Sequence, residues 1–549
     1  MTPTNALVLF IPFLFITALF IRTFFYFNKK RLIKKINESW GKFSESPYDL
    51  ETSQLYSLFN KQRETKGFYS IDEETWKDLD LNELFQIVNR TITPIGSQIL
   101  YDLLKHPVTN CAELDKREDI IATFSENISL RQNVHQALLP LAKIPAKYLA
   151  YSLWHPLPDK PRYSFIFYFL SALSIWIPLL TLLNFIHWGF IVLVFAINSA
   201  VYYSYNKKLT EFVVSFKYLN PLISSSQKVV NFLPDEFNEI KIELRNELGY
   251  AKSIGKRVYS LQLEDSTNLF ADYYNIYTLS SITTFFSVIG SLKKEIKSLR
   301  RIFEIVGYID SLISIASYRK QFPNYCLPNF SKSEIFNVVN ISHPLVTNPV
   351  PNDFTFDTNC LLITGSNMSG KSTFLKTLGV NAILAQTFNM CFAEKYEAPF
   401  LKVISSIERR DDLINGKSYY MSEVESILRI IKASETEAVH LFLIDEIFRG
   451  TNSIERTAAS IEVLRFLSNQ KDHVVAATHD LQLTEILSSV YQNFHFREAM
   501  TETGLYFDYK LHPGKSSSKN AIALLEYVGY PKSIVAGAKK RINDRLEHI

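Results

Sequence analysis

One stretch in the C-terminal half constrains the fold of this chain most, because it sets the order strand, loop and helix. Leu361–Thr364 is a short run typical of a buried strand, and Gly365–Ser372 fits the pattern G-x-x-x-x-G-K-S. Apolar residues at helical spacing follow from Phe374. Glycines let the backbone N–H groups of such a loop turn toward phosphate oxygens, and the N-terminus of the next helix adds a favourable dipole. The stretch therefore predicts a phosphate-binding loop of the P-loop type.

The side chains of this loop predict ATP and Mg²⁺ as cofactors. Lys371 is expected to reach the β- and γ-phosphates, and Ser372 is expected to coordinate the metal ion. The predicted nucleotide-binding residues are Gly365, Ser366, Asn367, Met368, Ser369, Gly370, Lys371, Ser372 and Thr373.

Two further apolar runs end in polar residues that complete the predicted site. His440–Ile444 leads into Asp445 and Glu446, of which Asp445 suits the Mg²⁺ shell and Glu446 suits a base that activates water. Val474–Thr478 ends in His479, which we interpret as a γ-phosphate sensor, with an ordinary strand-end residue as the alternative. The carboxyl ends of parallel strands meet at one edge of a sheet, so these side chains are expected beside the loop.

The N-terminus carries a long apolar run. Ala6–Phe27 is long enough to cross a hydrocarbon core of ~30 Å, and a cluster of basic residues follows it. A cleaved signal peptide would have its positive charge in front of a shorter run. We therefore interpret residues 1–28 as a retained transmembrane anchor, with a cleaved signal and a buried helix as the alternatives.

A second apolar block, Phe165–Tyr205, has the length of two spans joined by a short turn at residues 184–187. Basic residues flank it on both sides, namely Lys160, Arg162, Lys207 and Lys208. The positive-inside rule then places both flanks in the cytoplasm, in agreement with the basic cluster after the first run. The sequence predicts a multi-pass protein of the inner (cytoplasmic) membrane with about three helices embedded and its ATPase domain in the cytoplasm. A buried globular hairpin is the alternative.

Cysteine content bears on the compartment. The four cysteines, Cys111, Cys326, Cys360 and Cys391, are far apart in sequence and form no C-x-x-C pair. This pattern argues against a disulfide scaffold or a structural zinc site and fits a reducing compartment.

The overall charge gives little evidence for nucleic-acid binding, because a net charge of +4 on 549 residues is small. One basic stretch, Lys293–Arg301, is compatible with nucleic-acid contact, with a solvated helix face or with attraction to anionic lipid.

The phosphate-binding motifs resemble those of the MutS-type mismatch-repair ATPases. Thr364–Thr373 is similar to TGPNMGGKST, with Ser366 in place of proline and Ser369 in place of glycine. Asp445–Thr451 is similar to DEIGRGT, with Phe448 in place of glycine. The resemblance implies a P-loop ATPase domain of the ABC type.

Other segments extend this resemblance. Asp411–Glu423 is similar to the stretch whose serine reaches the partner subunit's nucleotide, so Ser418 is implied as a residue acting in trans. Ala477–His479 matches the ATH motif, and Tyr509–Gly514 matches the tail that precedes a helical dimerisation region. The resemblance thus implies a homodimer with composite sites, in which Glu446, His479 and Ser418 are the catalytic residues and Ser372 and Asp445 hold the metal.

Upstream, Asn89–Leu100 resembles the opening of the all-α MutS core domain, and Ile309–Ser317 resembles its last helix. We therefore divide the chain as follows: 1–28 anchor, 29–78 cytoplasmic linker, 79–163 first part of the helical core, 164–205 transmembrane hairpin, 206–328 second part of the core or lever, and 329–549 ATPase domain with the dimerisation tail.

The resemblance implies ATP hydrolysis by a dimer that binds DNA. Together with the apolar runs, it gives the expected function, that of a membrane-anchored ATPase of this kind. No N-terminal mismatch-reading domain with its Phe-x-Glu wedge is recognised, and the apolar hairpin lies where a DNA-clamping insertion is expected. The alternative is therefore a membrane-tethered ABC-type ATPase that acts on a membrane protein or lipid partner without reading mismatches. A transport ATPase ranks third, because three spans are few and no LSGGQ-type signature is present.

Overall fold

A computed structural model describes residues 19–20, 22–24, 27–28, 30–42, 69–216, 218–262, 269–331, 335–356, 358–366, 368–407, 419–448, 452–501, 504–515, 525 and 527–546. Most of the predicted anchor, residues 1–28, lies outside this set. The chain groups into two compact units. The helical unit comprises residues 1–67, 87–102 and 119–321, and the sheet unit comprises residues 68–86, 103–118 and 322–549.

The helices of the described part follow one another along the chain and are named in that order. They are α1 Glu73–Asp78, α2 Leu81–Val88, α3 Pro94–Lys105, α4 Cys111–Glu126, α5 Ile128–Leu138, α6 Ala146–Trp154, α7 Phe165–Leu182, α8 Gly189–Phe216, α9 Leu219–Phe232, α10 Asn238–Gln262, α11 Leu269–Thr278, α12 Ser280–Gln321, α13 Lys371–Phe388, α14 Tyr419–Ser434, α15 Ser453–Ser468, α16 Leu481–Ile486 and α17 Lys532–Leu546.

The strands lie in the last third of the chain. They are β1 Asn329–Phe330, β2 Asn337–Ile341, β3 Asn352–Thr355, β4 Cys360–Thr364, β5 Lys395–Ala398, β6 Lys402–Ser406, β7 His440–Asp445, β8 His473–Thr478, β9 Gln492–Thr501 and β10 Gly504–Pro513.

The helical unit is organised around α12, a helix of 42 residues. Most of its apolar positions from Ile282 to Ile315 are buried, and α10 packs along it. The guanidinium of Arg301 on α12 donates to Glu243 Oε1 on α10 at 2.6 Å. Helical periodicity of the apolar residues explains this packing, because a continuous stripe on α12 must be covered by other helices.

A buried carboxylate joins the end of α12 to the start of α3. Asp310 is 1% exposed and accepts hydrogen bonds from the N–H groups of Ile92 (3.2 Å) and Thr93 (2.9 Å) and from Thr93 Oγ1 (2.6 Å). Gly96 is required here, because a Cβ atom on it would lie 2.3 Å from Asp310 Oδ2. The carboxylate therefore anchors the N-terminus of α3.

Replacing Asp310 with asparagine is expected to destabilise the helical unit, because an amide nitrogen then faces donors that now bind a carboxylate. Burial raises the pKa of Asp310 to about 6. The folded state thus binds this proton more tightly than the unfolded chain, so the carboxyl's contribution to stability is lost as pH rises from about 4 to about 6. That loss should be on the order of 2 kcal/mol.

Thermal unfolding of the wild type and of Asp310→Asn, at about pH 4.5 and about pH 7, measures this effect. The wild type should exceed the variant in Tm by more at the lower pH. If the difference in Tm between wild type and Asp310→Asn did not change with pH, the pH dependence assigned to the Asp310 carboxyl would be wrong.

The apolar block forms two helices, α7 and α8, joined by a turn that contains the predicted residues 184–187. Phe165–Leu182 is the one helix of the described residues that is long and apolar enough to cross a membrane by length and composition. Gly189–Tyr205 is a shorter apolar segment. One face of the pair, including Phe167 and Leu170, packs on α11 and α12, while the opposite face is exposed, with Leu182 at 78%.

The basic stretch on α12 is engaged within the helical unit. Lys293 pairs with Asp159 at 2.5 Å, and the guanidinium of Arg300 donates to the carbonyl oxygen of Leu153 at 2.7 Å. With Arg301 bound to Glu243, these contacts favour a structural role for the stretch.

The sheet unit contains a six-stranded sheet in the order β10-β9-β4-β8-β7-β6. All pairs are parallel except β9 with β10. Thr364 lies opposite Thr478, and Asp445 lies opposite Ala477. The strands predicted after residues 360, 440 and 473 are therefore neighbours, and their carboxyl ends share one edge. A four-stranded sheet in the order β1-β5-β2-β3 completes the unit.

Segments that precede the predicted ATPase region also belong to the sheet unit. Asp78 at the end of α1 accepts hydrogen bonds from Ser405 Oγ (2.7 Å) and from the N–H of Ile407 (2.8 Å), next to β6. The domain boundaries drawn at residues 79, 164, 206 and 329 stay predictions.

Candidate functional site

The loop between β4 and α13 has the backbone that the glycine pattern predicts. Gly365 has φ +153° and Gly370 has φ +110°, values that side-chain-bearing residues rarely adopt. A Cβ atom on Gly365 would also lie 2.7 Å from Ser369 Oγ. Met368 is 83% exposed, whereas Asn367 lies outside the described residues. Helix α13 starts directly after Gly370, so its first N–H groups face this loop.

Lys371 occupies the centre of the loop. Its ammonium donates to the carbonyl oxygens of Gly365 at 2.9 Å and Ser366 at 2.8 Å, and it lies 3.3 Å from His479 Nε2. The residue is only 6% exposed. A buried cation that donates to carbonyl oxygens is well placed to exchange these contacts for stronger ones with an anion.

The donor set next to this cation suits a small, hard metal ion. Ser372 Oγ donates a hydrogen bond to Asp445 Oδ2, so a hydroxyl and a carboxylate meet where the first turn of α13 approaches the end of β7. Within the described residues, no three His, Cys, Asp or Glu side chains are grouped to hold a metal ion. Two oxygen ligands fit Mg²⁺, which binds few protein groups and keeps water or phosphate in its other positions.

Glu446 and His479 form a pair at the same sheet edge. Glu446 Oε1 lies 3.0 Å from His479 Nε2. Glu446 has φ +57°, unusual for a residue with a side chain, and its N–H donates to Ala477 O at 2.9 Å. Strain of this kind persists where the surrounding structure fixes the backbone, and it is common at functional sites.

The segment after His479 is fixed by its own hydrogen bonds. Asp480 accepts from the N–H of Gln482 at 3.0 Å and so caps α16, and it also accepts from Thr457 Oγ1 at 2.6 Å. These contacts hold the end of β8, and with it His479, beside the loop.

Sequence reasoning missed Glu498 on β9, which contacts the phosphate-binding loop. Ser366 Oγ donates a hydrogen bond to Glu498 Oε2 on β9. Ser366 is a position where the resemblance leads one to expect proline, and a proline has no hydroxyl to give. The substitution was the signal that this loop has a partner, but nothing in the sequence points to Glu498.

A cleft of about 370 Å³ opens beside the start of α13, lined among others by Gly370, Thr373, Asn352 and His343. Asn352 is held by β10, donating to Tyr509 O at 3.1 Å and accepting from the N–H of Leu511 at 2.7 Å. Burial lowers the pKa of His343 to about 4, so its imidazole is neutral at pH 7. Its Nδ1 accepts from the N–H of Leu345 at 3.2 Å, which leaves Nε2 to carry the proton.

The structure brings together most of the predicted site residues that it describes. Lys371, Ser372, Asp445, Glu446 and His479 lie at one edge of the sheet. Ser418, implied to act in trans, lies outside the described residues.

Comparison with known proteins matches both parts of the chain. Residues 361–547 match the family model for MutS domain V, and residues 60–145 match that for MutS domain III. The DNA mismatch repair protein MutS of Thermus thermophilus is 32% identical over 45% of this chain, which corresponds to 30% of the length of that protein. The protein of the same name from Fervidobacterium nodosum is 24% identical over 94% of this chain and 71% of its own length.

These matches fall on the segments that carry the resemblance seen in the sequence. The domain V match contains the loop, β7 and β8, and the domain III match contains Asn89–Leu100. The matched part of the chain spans less than a third of the Thermus relative, so that relative's activity does not transfer as a whole. The chain belongs to the MutS family and contains MutS domains III and V.

Proposed function

We propose that this protein is a Mg²⁺-dependent ATP hydrolase that works as a homodimer, with the sheet unit as its P-loop ATPase domain. The observation that carries the proposal is the grouping of Lys371, Ser372, Asp445, Glu446 and His479 at one sheet edge. The cation, the metal-ligand pair and the carboxylate–imidazole pair are the parts that phosphoryl transfer to water requires.

Each part has a defined task in this proposal. Lys371 and the loop N–H groups bind the phosphates, and Ser372 and Asp445 hold the metal ion, which neutralises phosphate charge when bound. Glu446 orients a water molecule and accepts its proton, and His479 holds the Glu446 carboxylate in place through their 3.0 Å contact. Ser418 of the second subunit would complete the site.

The cleft beside α13 is proposed to take the nucleoside. It is lined by Gly370 and Thr373, so a nucleotide with its phosphates on the loop would extend into it. His343 Nε2 is buried there without a hydrogen-bond partner among the described residues, and as an N–H donor it offers a contact to a nucleobase or ribose acceptor.

DNA is proposed as the ligand of the dimer, because the relatives that match the chain are named for DNA mismatch repair. The test is the ATPase rate of the detergent-purified protein with homoduplex, mismatched and branched DNA, using Lys371→Ala as the blank. Stimulation by DNA that weakens as salt rises is expected, since phosphate contacts release counterions.

A Lys371-dependent rate that no DNA changes would contradict DNA binding. It would favour the second candidate, an ATPase that acts on a membrane protein or lipid partner. The exposed apolar face of α7 and α8 supports that candidate.

Membrane insertion of the hairpin is also proposed, with the flanks of α7 and α8 and the ATPase domain in the cytoplasm. The two helices and the turn between them expose many large apolar side chains, among them Phe169 on α7 and Phe185 and Trp188 in the turn. Solvent contact of such a surface is unfavourable by about 25 cal/mol per Å², whereas lipid would cover it.

A cysteine introduced as Phe185→Cys should react with a membrane-impermeant maleimide in spheroplasts, because the turn would then face the outside. The natural Cys111 is exposed and serves as the internal control, since it should react only after permeabilisation. If Phe185→Cys also required permeabilisation, the spanning topology would be wrong.

A further inference from the structure

Two cysteines that are distant in sequence face each other in the sheet unit. Cys326 and Cys391 form an isolated antiparallel bridge. Each N–H donates to the carbonyl oxygen of the other residue at 2.9 Å, so the two residues are directly opposed. Opposed residues of this hydrogen-bonded type have Cα atoms about 5.5 Å apart, inside the range of about 4.4–6.8 Å that a disulfide spans.

The geometry points to an oxidation site: we infer that Cys326 and Cys391 form a reversible disulfide when the protein meets a small organic disulfide. The two residues differ in the way that such a reaction needs. Cys326 is half-buried and can be reached from solvent, whereas Cys391 is 0% exposed and can be reached only by its neighbour.

The thiols also differ in acidity. A hydrogen bond from Cys391 lowers the pKa of Cys326, and the N–H of Tyr396 acts in the same direction. Burial raises the pKa of Cys391 well above its usual value. Since the thiolate is the nucleophile in exchange, Cys326 is the residue that reacts first.

The reaction then proceeds in two exchanges. The Cys326 thiolate attacks one sulfur of the oxidant, forms a mixed disulfide and releases one small thiolate. Cys391 then loses its proton and attacks Cys326 Sγ, which releases the second small thiolate. The protein gives up two electrons and two protons, and the oxidant is reduced to two thiols.

The remaining cysteines lack these features. Cys360 is buried, and that burial raises its pKa to about 12, which makes its thiol unreactive. Cys111 is exposed on α4.

Cys391 is in contact with α13, because its Sγ lies 3.8 Å from Asn381 O and Phe392 N–H donates to Asn381 Oδ1 at 2.7 Å. A disulfide would thus be made next to the helix that follows the phosphate-binding loop.

Oxidised glutathione added to the reduced full-length protein tests the inference. After unfolding, alkylation and digestion, mass spectrometry should find a Cys326–Cys391 cross-linked peptide that dithiothreitol removes. In Cys391→Ala the second exchange is impossible, so the glutathione adduct on Cys326 should rise at least about tenfold over wild type. Cys111→Ser, the matched control, should cross-link like the wild type.

Two results would overturn the inference. One is a wild-type protein in which both cysteines remain alkylatable after oxidation. The other is a glutathione adduct that persists on wild-type Cys326. The wild-type measurement decides the matter even if Cys391→Ala does not fold, because it needs no variant.

Discussion

Lys371→Ala is expected to reduce ATP turnover of the full-length protein by about 10²–10³-fold, because it removes the cation that we propose to contact the transferred phosphate. The ammonium lies 3.3 Å from His479 Nε2 and donates to the carbonyl oxygens of Gly365 and Ser366 in the loop. An alanine leaves those carbonyl oxygens facing the phosphates with no compensating charge. ATP affinity should fall as well, since the same cation binds the ground state. A steady-state phosphate-release assay with saturating Mg²⁺ measures the turnover.

Lys432→Ala is the matched control for this loss. Lys432 lies exposed in the last turn of α14, so its removal deletes the same charge from the sheet unit without touching the loop. Its turnover should stay within a factor of about two of the wild type, because exposed charges contribute little. Equal turnover in Lys371→Ala and Lys432→Ala would show that hydrolysis does not occur at this loop.

The grouping of these side chains at one sheet edge can be predicted from the sequence, because local patterns determine it. Each of the strands β4, β7 and β8 is a short, fully buried run. β4 leads into the glycine loop, whereas β7 and β8 are followed by Glu446 and His479, polar residues with a proposed role. Parallel strands in one sheet present those residues on one edge without further information. Gly365 and Gly370 are needed for a backbone that other residues avoid, so the loop conformation is also encoded locally.

Contacts between distant segments could not be predicted in the same way. Glu498 reaches Ser366 only because β9 pairs with β4, and no spacing pattern in the sequence shows that pairing. The pairing of Cys326 with Cys391 is not predicted either, since a bridge between two single residues leaves no periodic signal in the sequence. The contact of Asp78 with β6 has the same origin, and it brings α1 into the sheet unit.

Glu446→Gln is expected to lower ATP turnover by about 10²–10³-fold while ATP binding persists. Glutamine keeps the size and the oxygen of the side chain but cannot accept a proton from water. Lys371, Ser372 and Asp445, which hold the phosphates and metal ion in the proposal, keep their contacts in this variant. Filter binding of labelled ATP and single-turnover hydrolysis separate the two effects, and together they distinguish this variant from Lys371→Ala, which should lose both.

The same comparison tests whether His479 acts through Glu446. If His479 only positions the carboxylate through their 3.0 Å contact, then His479→Asn should slow hydrolysis less than Glu446→Gln, and the double variant should be no slower than Glu446→Gln alone. Glu437→Gln, at an exposed position before β7, is the charge-matched control and should hydrolyse ATP like the wild type. Full turnover in Glu446→Gln would contradict the assignment of the base. Additive losses in the double variant would mean instead that His479 contacts the phosphate independently, as a sensor of the γ-phosphate does.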